Sequence, residues 1–146
     1  MTIQVAPSTP HTDAVISLLE AADLIVGRAL HPEGGGWQGE PGRADYVPYD
    51  VVYPAPGTPD GNLAEPLEYL DYKAQITCWG ATETQAEQEA DRVRAAVVGQ
   101  LLTVAGRSSY RIQQPPGSRH VRRDDSVSPP EWQAVVDIEV RTQHTA

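Results

Sequence analysis

The residues able to carry chemistry are few and scattered. His11, His31, His120 and His144 show no paired spacing. Each falls in a segment predicted as a loop or terminus, where a histidine is expected to be solvated. Cys78 is the only cysteine, which excludes an internal disulfide framework and any CxxC zinc site. It falls on the apolar side of a predicted strand, the place of a small core residue. No GxSxG, HExxH or GK[ST] occurs, and no spacing pairs two carboxylates. Gly34 to Gly39 matches GxGxxG letter for letter. That fingerprint needs a strand before it and a helix after it; here it follows a helix and runs into Glu40-Pro41-Gly42. No catalytic residue, cofactor or metal is therefore expected.

What remains is charge and aromatic surface. The chain carries 20 acids against 11 bases, a net charge of −9, which argues against a protein held to nucleic acid by phosphate contacts. The distribution is uneven. Residues 1–106 hold 15 acids and five bases, whereas residues 107–123 hold five arginines (Arg107, Arg111, Arg119, Arg122 and Arg123) and no acid. A basic strip on an acidic body suits a self-complementary surface at least as well as a foreign partner. In Arg122-Arg123-Asp124-Asp125 two cations precede two anions, and all four are not expected to pair locally. The segment is either a solvated loop or an inter-subunit clasp built from bidentate arginine–carboxylate pairs. Trp37, Tyr49 and Tyr53 pose a similar choice. With Tyr46, Tyr69 and Tyr72 they are either interface anchors or side chains folded back onto their own sheet.

These side chains need a frame. At 146 residues the chain is long enough for one domain with a sizeable core. No apolar run approaches a membrane span and no basic-then-apolar leader follows Met1. Val15, Leu18, Leu19, Ala22, Ile25 and Ala29 recur at helical spacing, which predicts a helix capped by Thr12 and running to about Leu30. Tyr49 to Tyr53 reads as a short strand closed off by Pro48 and Pro54. From Leu70 to Cys78, apolar and polar residues alternate, as in a half-buried antiparallel strand. Thr82 and Gln85 form a capping box. They open a helix with the stripe Ala86, Ala90, Val93, Val97 and Leu101, ended by Gly106. Short strands are expected at Thr103–Val104 and Ser109–Gln113, and a long last strand begins near Trp132, with Val135 interrupting its polar face. The fold class is α+β: a single domain over 1–146, a mostly antiparallel sheet with two helices packed on one face.

Glycine and proline together number 25, and 19 of them fall between Pro32 and Pro66 or between Pro115 and Pro130. Long loops are accordingly expected at 31–48, 54–66 and 114–130, and the two excursions, Pro32–Pro66 and Pro115–Pro130, are expected to be ordered mainly by neighbouring subunits.

Three stretches then carry a family resemblance. They are GGWQGEPG leading to Tyr49-Asp50-Val51-Val52-Tyr53-Pro54, Gln75-Ile76-Thr77-Cys78-Trp79-Gly80-Ala81-Thr82 running into an acidic helix with Ala90-Asp91-Arg92-Val93-Arg94, and Val121-Arg122-Arg123-Asp124-Asp125 before Pro129-Pro130. In this combination and order the chain resembles the tail terminator proteins of long-tailed bacteriophages, particularly those of actinobacterial phages. The resemblance implies a small α+β subunit, without cofactor or catalysis, in a homo-hexameric ring at the head-proximal end of the tail tube. The ring would stop tube polymerisation and meet the major tail tube protein and the head–neck connector. DNA would pass through its lumen without specific binding, and the protein would reside in the virion tail after assembly in the host cytoplasm. Trp37, Tyr49, Tyr53, Arg119, Arg122, Arg123, Asp124 and Asp125 are then the candidates for subunit or tail contacts. Other readings stay open: a head-completion or connector protein on the portal side, a small-molecule binding module using the glycine-rich loop, or, least of all, a hydrolase.

Overall fold

The computed structural model describes residues 5–38, 45–117 and 119–145. The Gly39–Gly42 part of the glycine-rich stretch lies outside them. In chain order the elements are α1 (Thr9–Ala21), β1 (Val26–Arg28), β2 (Gly36–Trp37), β3 (Tyr46–Val47), β4 (Tyr49–Asp60), β5 (Tyr69–Gly80), α2 (Glu83–Val97), β6 (Arg107–Ser109), β7 (Arg122–Asp124) and β8 (Glu131–His144).

Two long alternating strands make the frame. β5 pairs β8 without a break from Tyr69↔Gln143 to Gly80↔Trp132, antiparallel, and β4 pairs the other edge of β5. The sheet order is β1-β4-β5-β8-β6, with β7 also on β8. β1 is the one parallel neighbour, lying along Asp50–Val52. Because side chains alternate across a strand, Val52, Tyr72, Ala74, Ile76, Cys78, Ala134, Val136, Ile138 and Val140 all face the helices. There they meet Ala14, Val15 and Leu19 of α1 and Ala86, Val93 and Val97 of α2 in one core. The α+β class and the mostly antiparallel sheet agree with the sequence reading.

Several boundaries differ, each for a local reason. α1 starts three residues before Thr12, with Pro10 in its first turn, where a fixed φ favours helix. Thr12 does not cap; its hydroxyl lies 2.6 Å from the Tyr72 hydroxyl. The helix stops at Ala21, with Asp23 left-handed at φ 62° and the Leu24 amide donating to the Leu19 carbonyl. Ile25 to Arg28, periodic enough to pass for its last turn, is extended because β4 offers a ladder. β4 in turn does not end at Pro54 but runs on through Pro56 and Pro59 to Asp60, with a register shift between Ala55 and Thr58. β1 covers only Asp50 to Val52, so beyond Tyr53 β4 is an edge strand among the described residues. On an edge, a proline's missing N–H costs no ladder bond. The predicted 54–66 loop is therefore reduced to the turn after Asp60.

α2 begins as expected: Thr82 Oγ1 accepts the Gln85 amide and Gln85 Oε1 accepts the Ala81 amide. A Cβ at Gly80 would lie 2.5 Å from the Ala86 backbone nitrogen, so glycine is what lets β5 run directly into the helix. The helix ends at Val97, not Gly106, with Gly99 left-handed at φ 82°. Leu101 is consequently outside the stripe and 52% exposed. Thr103–Val104 forms no strand; the one expected at Ser109–Gln113 is represented by β6 and two isolated bridges, Leu101↔Arg111 and Gln113↔Glu139.

Candidate interaction surface

The helices cover one face of the sheet; the opposite face carries the functional candidates. Register places its rows directly. Tyr49, Trp79, Gln133 and Arg122 lie side by side, then Val51, Thr77 and Val135, then Tyr53, Gln75 and Asp137, then Ala55, Lys73 and Glu139. The two loop excursions settle on this face, and they do so differently.

The first folds back onto its own chain. β2 and β3 pair as a two-residue ladder, Gly36↔Val47 and Trp37↔Tyr46. The Trp37 and Tyr46 rings meet edge-on at 5.1 Å, and Tyr49 stacks on Trp79 at 6.0 Å and 15°. His31 tilts against Tyr49 at 4.4 Å. The polar anchor is Glu131, buried at the start of β8, which accepts the Tyr46 hydroxyl at 3.0 Å and the Tyr49 hydroxyl at 3.4 Å. Burial, followed by the Glu131 charge, pushes both phenols far above the usual tyrosine range. Of the three aromatic candidates, Tyr49 is thus buried and Trp37 half-buried, packed within the subunit; only Tyr53 stands clear, at 42% exposure. The described part of this excursion is ordered by its own sheet, contrary to the expectation that neighbours order it.

The second excursion stays on the surface. It holds β7, so it is not wholly loop: Arg122, Arg123 and Asp124 pair Gln133, Trp132 and Glu131. As expected, its four charges do not all pair locally among the described residues. Arg123 Nε bonds Asp125 at 2.7 Å, and Asp124 accepts the Ser126 hydroxyl at 2.5 Å and the Ser126 amide at 2.9 Å, which together hold its carboxyl below the usual range. Arg119 reaches across the sheet to Asp137 at 3.0 Å. Arg122 makes no ion pair among the described residues and lines a 350 Å³ pocket with Gln75, Arg119, His120, Gln133 and Val135. Val135, the residue that interrupts the polar pattern of β8, is floor to that pocket.

At the far end of the face, Arg141 joins three strands. Its guanidinium bonds Asp71 at 2.7 and 2.9 Å and Asp60 at 2.6 Å, and lies 4.8 Å above the Tyr69 ring. Asp71 is held below the usual carboxylate range chiefly by that bond.

Two buried carboxyls lie on the helix side, neither of them singled out by the sequence pattern. Asp50, in the middle of the apolar YDVVY run, is 0% exposed; Glu89, on the inner stripe of α2, is 2% exposed. Both Asp50 oxygens and Glu89 Oε2 have no hydrogen-bond partner among the described residues. Burial first, then the adjacent Glu89 carboxyl, lifts the Asp50 pKa past neutrality. Burial also pushes the Cys78 thiol well up, consistent with its expected place as an inert core residue. The signal for Glu89 was present in its spacing, three residues after Ala86 and four before Val93. His11 is the other surprise. It is a buried residue of α1, not a solvated one. Its Nδ1–H donates to the Pro7 carbonyl at 2.9 Å, so Nε2 accepts from the Thr142 hydroxyl at 2.7 Å. Desolvation lowers its pKa, with Arg107 adding to the effect and the Pro7 bond opposing it.

No group of three or more metal-binding side chains gathers among the described residues, and no described helix is long and apolar enough to cross a membrane. The arrangement is therefore that of a sheet face with one half covered by an aromatic loop and the other half open, charged and grooved.

Comparison with known proteins places the fold in context. No family model matches the chain. No curated protein matches it in sequence. Among solved structures, the chain is similar to one from the virion of a native gene transfer agent particle, with a TM-score of 0.59 at 12% identity. The match covers 90% of this chain and 92% of that one, so the two share their fold nearly end to end.

Proposed function

We propose that this chain is a structural virion protein: a tail terminator that forms a hexameric ring on the head-proximal end of the tail tube, stops its polymerisation and joins the tail to the head–neck connector. The observation that carries the structural role is the fold shared with a virion chain over nine-tenths of both molecules. The finer role rests on the three sequence stretches that resemble terminators. The geometry is compatible with a ring subunit. An open sheet face, a projecting β4–β5 hairpin and a segregated basic strip give several distinct surfaces, as a subunit touching neighbours, tube and connector requires. A lumen lined by so acidic a chain would let DNA pass without holding it. In this role the protein resides in the virion, with no cofactor, and its partners are its own copies, the tube protein and the connector.

The test is to add the purified chain to polymerising tail tube subunits and image the tubes by negative stain. The expected result is tubes that stop growing, with a six-fold cap at one end. Tubes that lengthen undisturbed and carry no cap would overturn the proposal. Attachment to the portal side of heads instead would identify a head-completion protein.

A further inference from the structure

The Arg122 pocket on the open sheet face departs from the acidic character of the chain. Gln75, Arg119, His120, Arg122, Gln133 and Val135 line its 350 Å³, and no carboxylate is among them. In a chain with 20 acids and a net charge of −9, that exclusion has local causes. Val121 packs toward the core, so its neighbours His120 and Arg122 turn to the other side, and β7 sets Arg122 beside Gln133. The two acids that follow are engaged elsewhere, Asp124 by Ser126 and Asp125 by Arg123.

Two of the walls are pinned before anything binds. Arg119 Nε donates to Asp137 at 3.0 Å and Nη1 to Gln75 Oε1 at 3.4 Å, while Gln75 Nε2 donates to Thr77 Oγ1 at 3.2 Å. The Arg119 charge is thereby spent on Asp137. Arg122 is left as the lining arginine with no ion pair among the described residues. Beneath both lies Val135, a half-buried apolar side chain in a row of polar ones.

The pocket thus offers one unspent positive charge, amide groups at its sides and a hydrocarbon floor. A guanidinium fork takes a carboxylate through two parallel bonds. A carboxylate on a methylene stem matches every part: its oxygens meet Arg122 and the Gln133 amide, and its stem covers Val135. A phosphate would match the fork but leave the floor bare, and a polyanion is repelled by the acidic body. One ion pair on an open surface holds a free small acid poorly, so the carboxylate must arrive on a chain that adds contacts of its own.

We infer that this pocket receives a glutamate side chain from an acidic segment of a protein partner, held by Arg122 and Gln133. The inference goes beyond the terminator reading and does not depend on it. Because Arg119 and Gln75 are already fixed, little ordering is left to oppose the contact.

NMR titration of the full chain at constant ionic strength, which detects weak binding, tests this through the Arg122 Nε–H and the Gln133 side-chain amide. The probes are a blocked glycine–glutamate–glycine peptide, the same peptide with glutamine at its centre, and inorganic phosphate. Saturable shifts of both groups are expected with the glutamate peptide alone. Arg122→Gln is expected to weaken that binding roughly tenfold or more. Arg123→Gln removes a cation already engaged by Asp125 and should leave it unchanged. Both variants should keep the wild-type melting temperature, so that lost binding is not lost folding. Equal response to the two peptides, an unaltered response in Arg122→Gln, or no saturable shift with any probe overturns the inference. Phosphate binding tighter than the glutamate peptide also overturns it and identifies a phosphate site. If the glutamate peptide binds and tubes grow uncapped, the pocket stands and the terminator reading falls. If tubes are capped and the peptide does not bind, the reverse holds.

Discussion

Replacing Asp50 by asparagine should make the protein more stable, by an amount that grows with pH. In the fold Asp50 is fully buried beside Glu89, with neither oxygen hydrogen-bonded among the described residues. Burial and that neighbour hold its proton past neutrality. The unfolded chain releases the same proton near the ordinary value of 3.8. A carboxyl with a raised folded pKa contributes its full stability below the unfolded value and loses it as pH rises toward the folded one. Between pH 5 and pH 7 both limits are outside the window, so one proton separates the two states throughout. At about 1.36 kcal/mol per pH unit, the wild type should lose about 2.7 kcal/mol relative to Asp50→Asn across those two units. For a chain of this size that widens the gap in melting temperature by about 5–10 °C. Urea unfolding of both proteins at pH 5, 6 and 7 measures it, and titrations common to both cancel in the difference. A difference that stays constant with pH would refute the reasoning, since Asp50 would then ionise in the fold as it does in the open chain.

Three further outcomes follow from the same geometry. Tyr46→Phe removes a 3.0 Å bond to the buried Glu131 carboxylate; the expected loss is about 1.5–3 kcal/mol, with faster proteolysis within 31–48, and unchanged cleavage there would contradict the anchoring role. Because the His11 pKa is lowered in the fold, stability should drain as pH falls below the usual 6.5, and His11→Gln should flatten that acid limb in thermal melts. Charge reversal at Arg122 and Arg123 tests the proposed basic contact: assembly at physiological salt should fail, chiefly through Arg122, since Arg123 is already paired with Asp125. Normal rings and tails from the double variant would exclude the strip from the interface.

The legible parts of the fold were those where one strand or helix decides its own fate. The alternation of β8 and the Thr82–Gln85 capping box each fix an element from within. The misread parts depend on neighbours. Whether Pro54 ends β4 is decided by how far β1 reaches along it, and whether Ile25 to Arg28 is helix or strand depends on β4 lying beside it. The buried acids are separated by 39 positions and meet only because α2 crosses above Asp50. Glu131 likewise gained its partners, Tyr46 and Tyr49, from a loop more than 80 residues earlier. Among the surface candidates, the arginines and Tyr53 lie exposed, as charge and composition suggest. Trp37 and Tyr49 pack within the subunit, because an aromatic side chain is equally suited to a neighbour's surface and to its own sheet, and the β2–β3 ladder and the β4–β5 register decide for the second.

The central claim, that the chain ends tail growth, is tested most directly by the length distribution of tails assembled in its absence, measured by negative-stain imaging. Tails of uncontrolled length that shorten to a uniform value when the chain is restored are the predicted result. Tails of normal length without it, failing only to join heads, would contradict the terminator role.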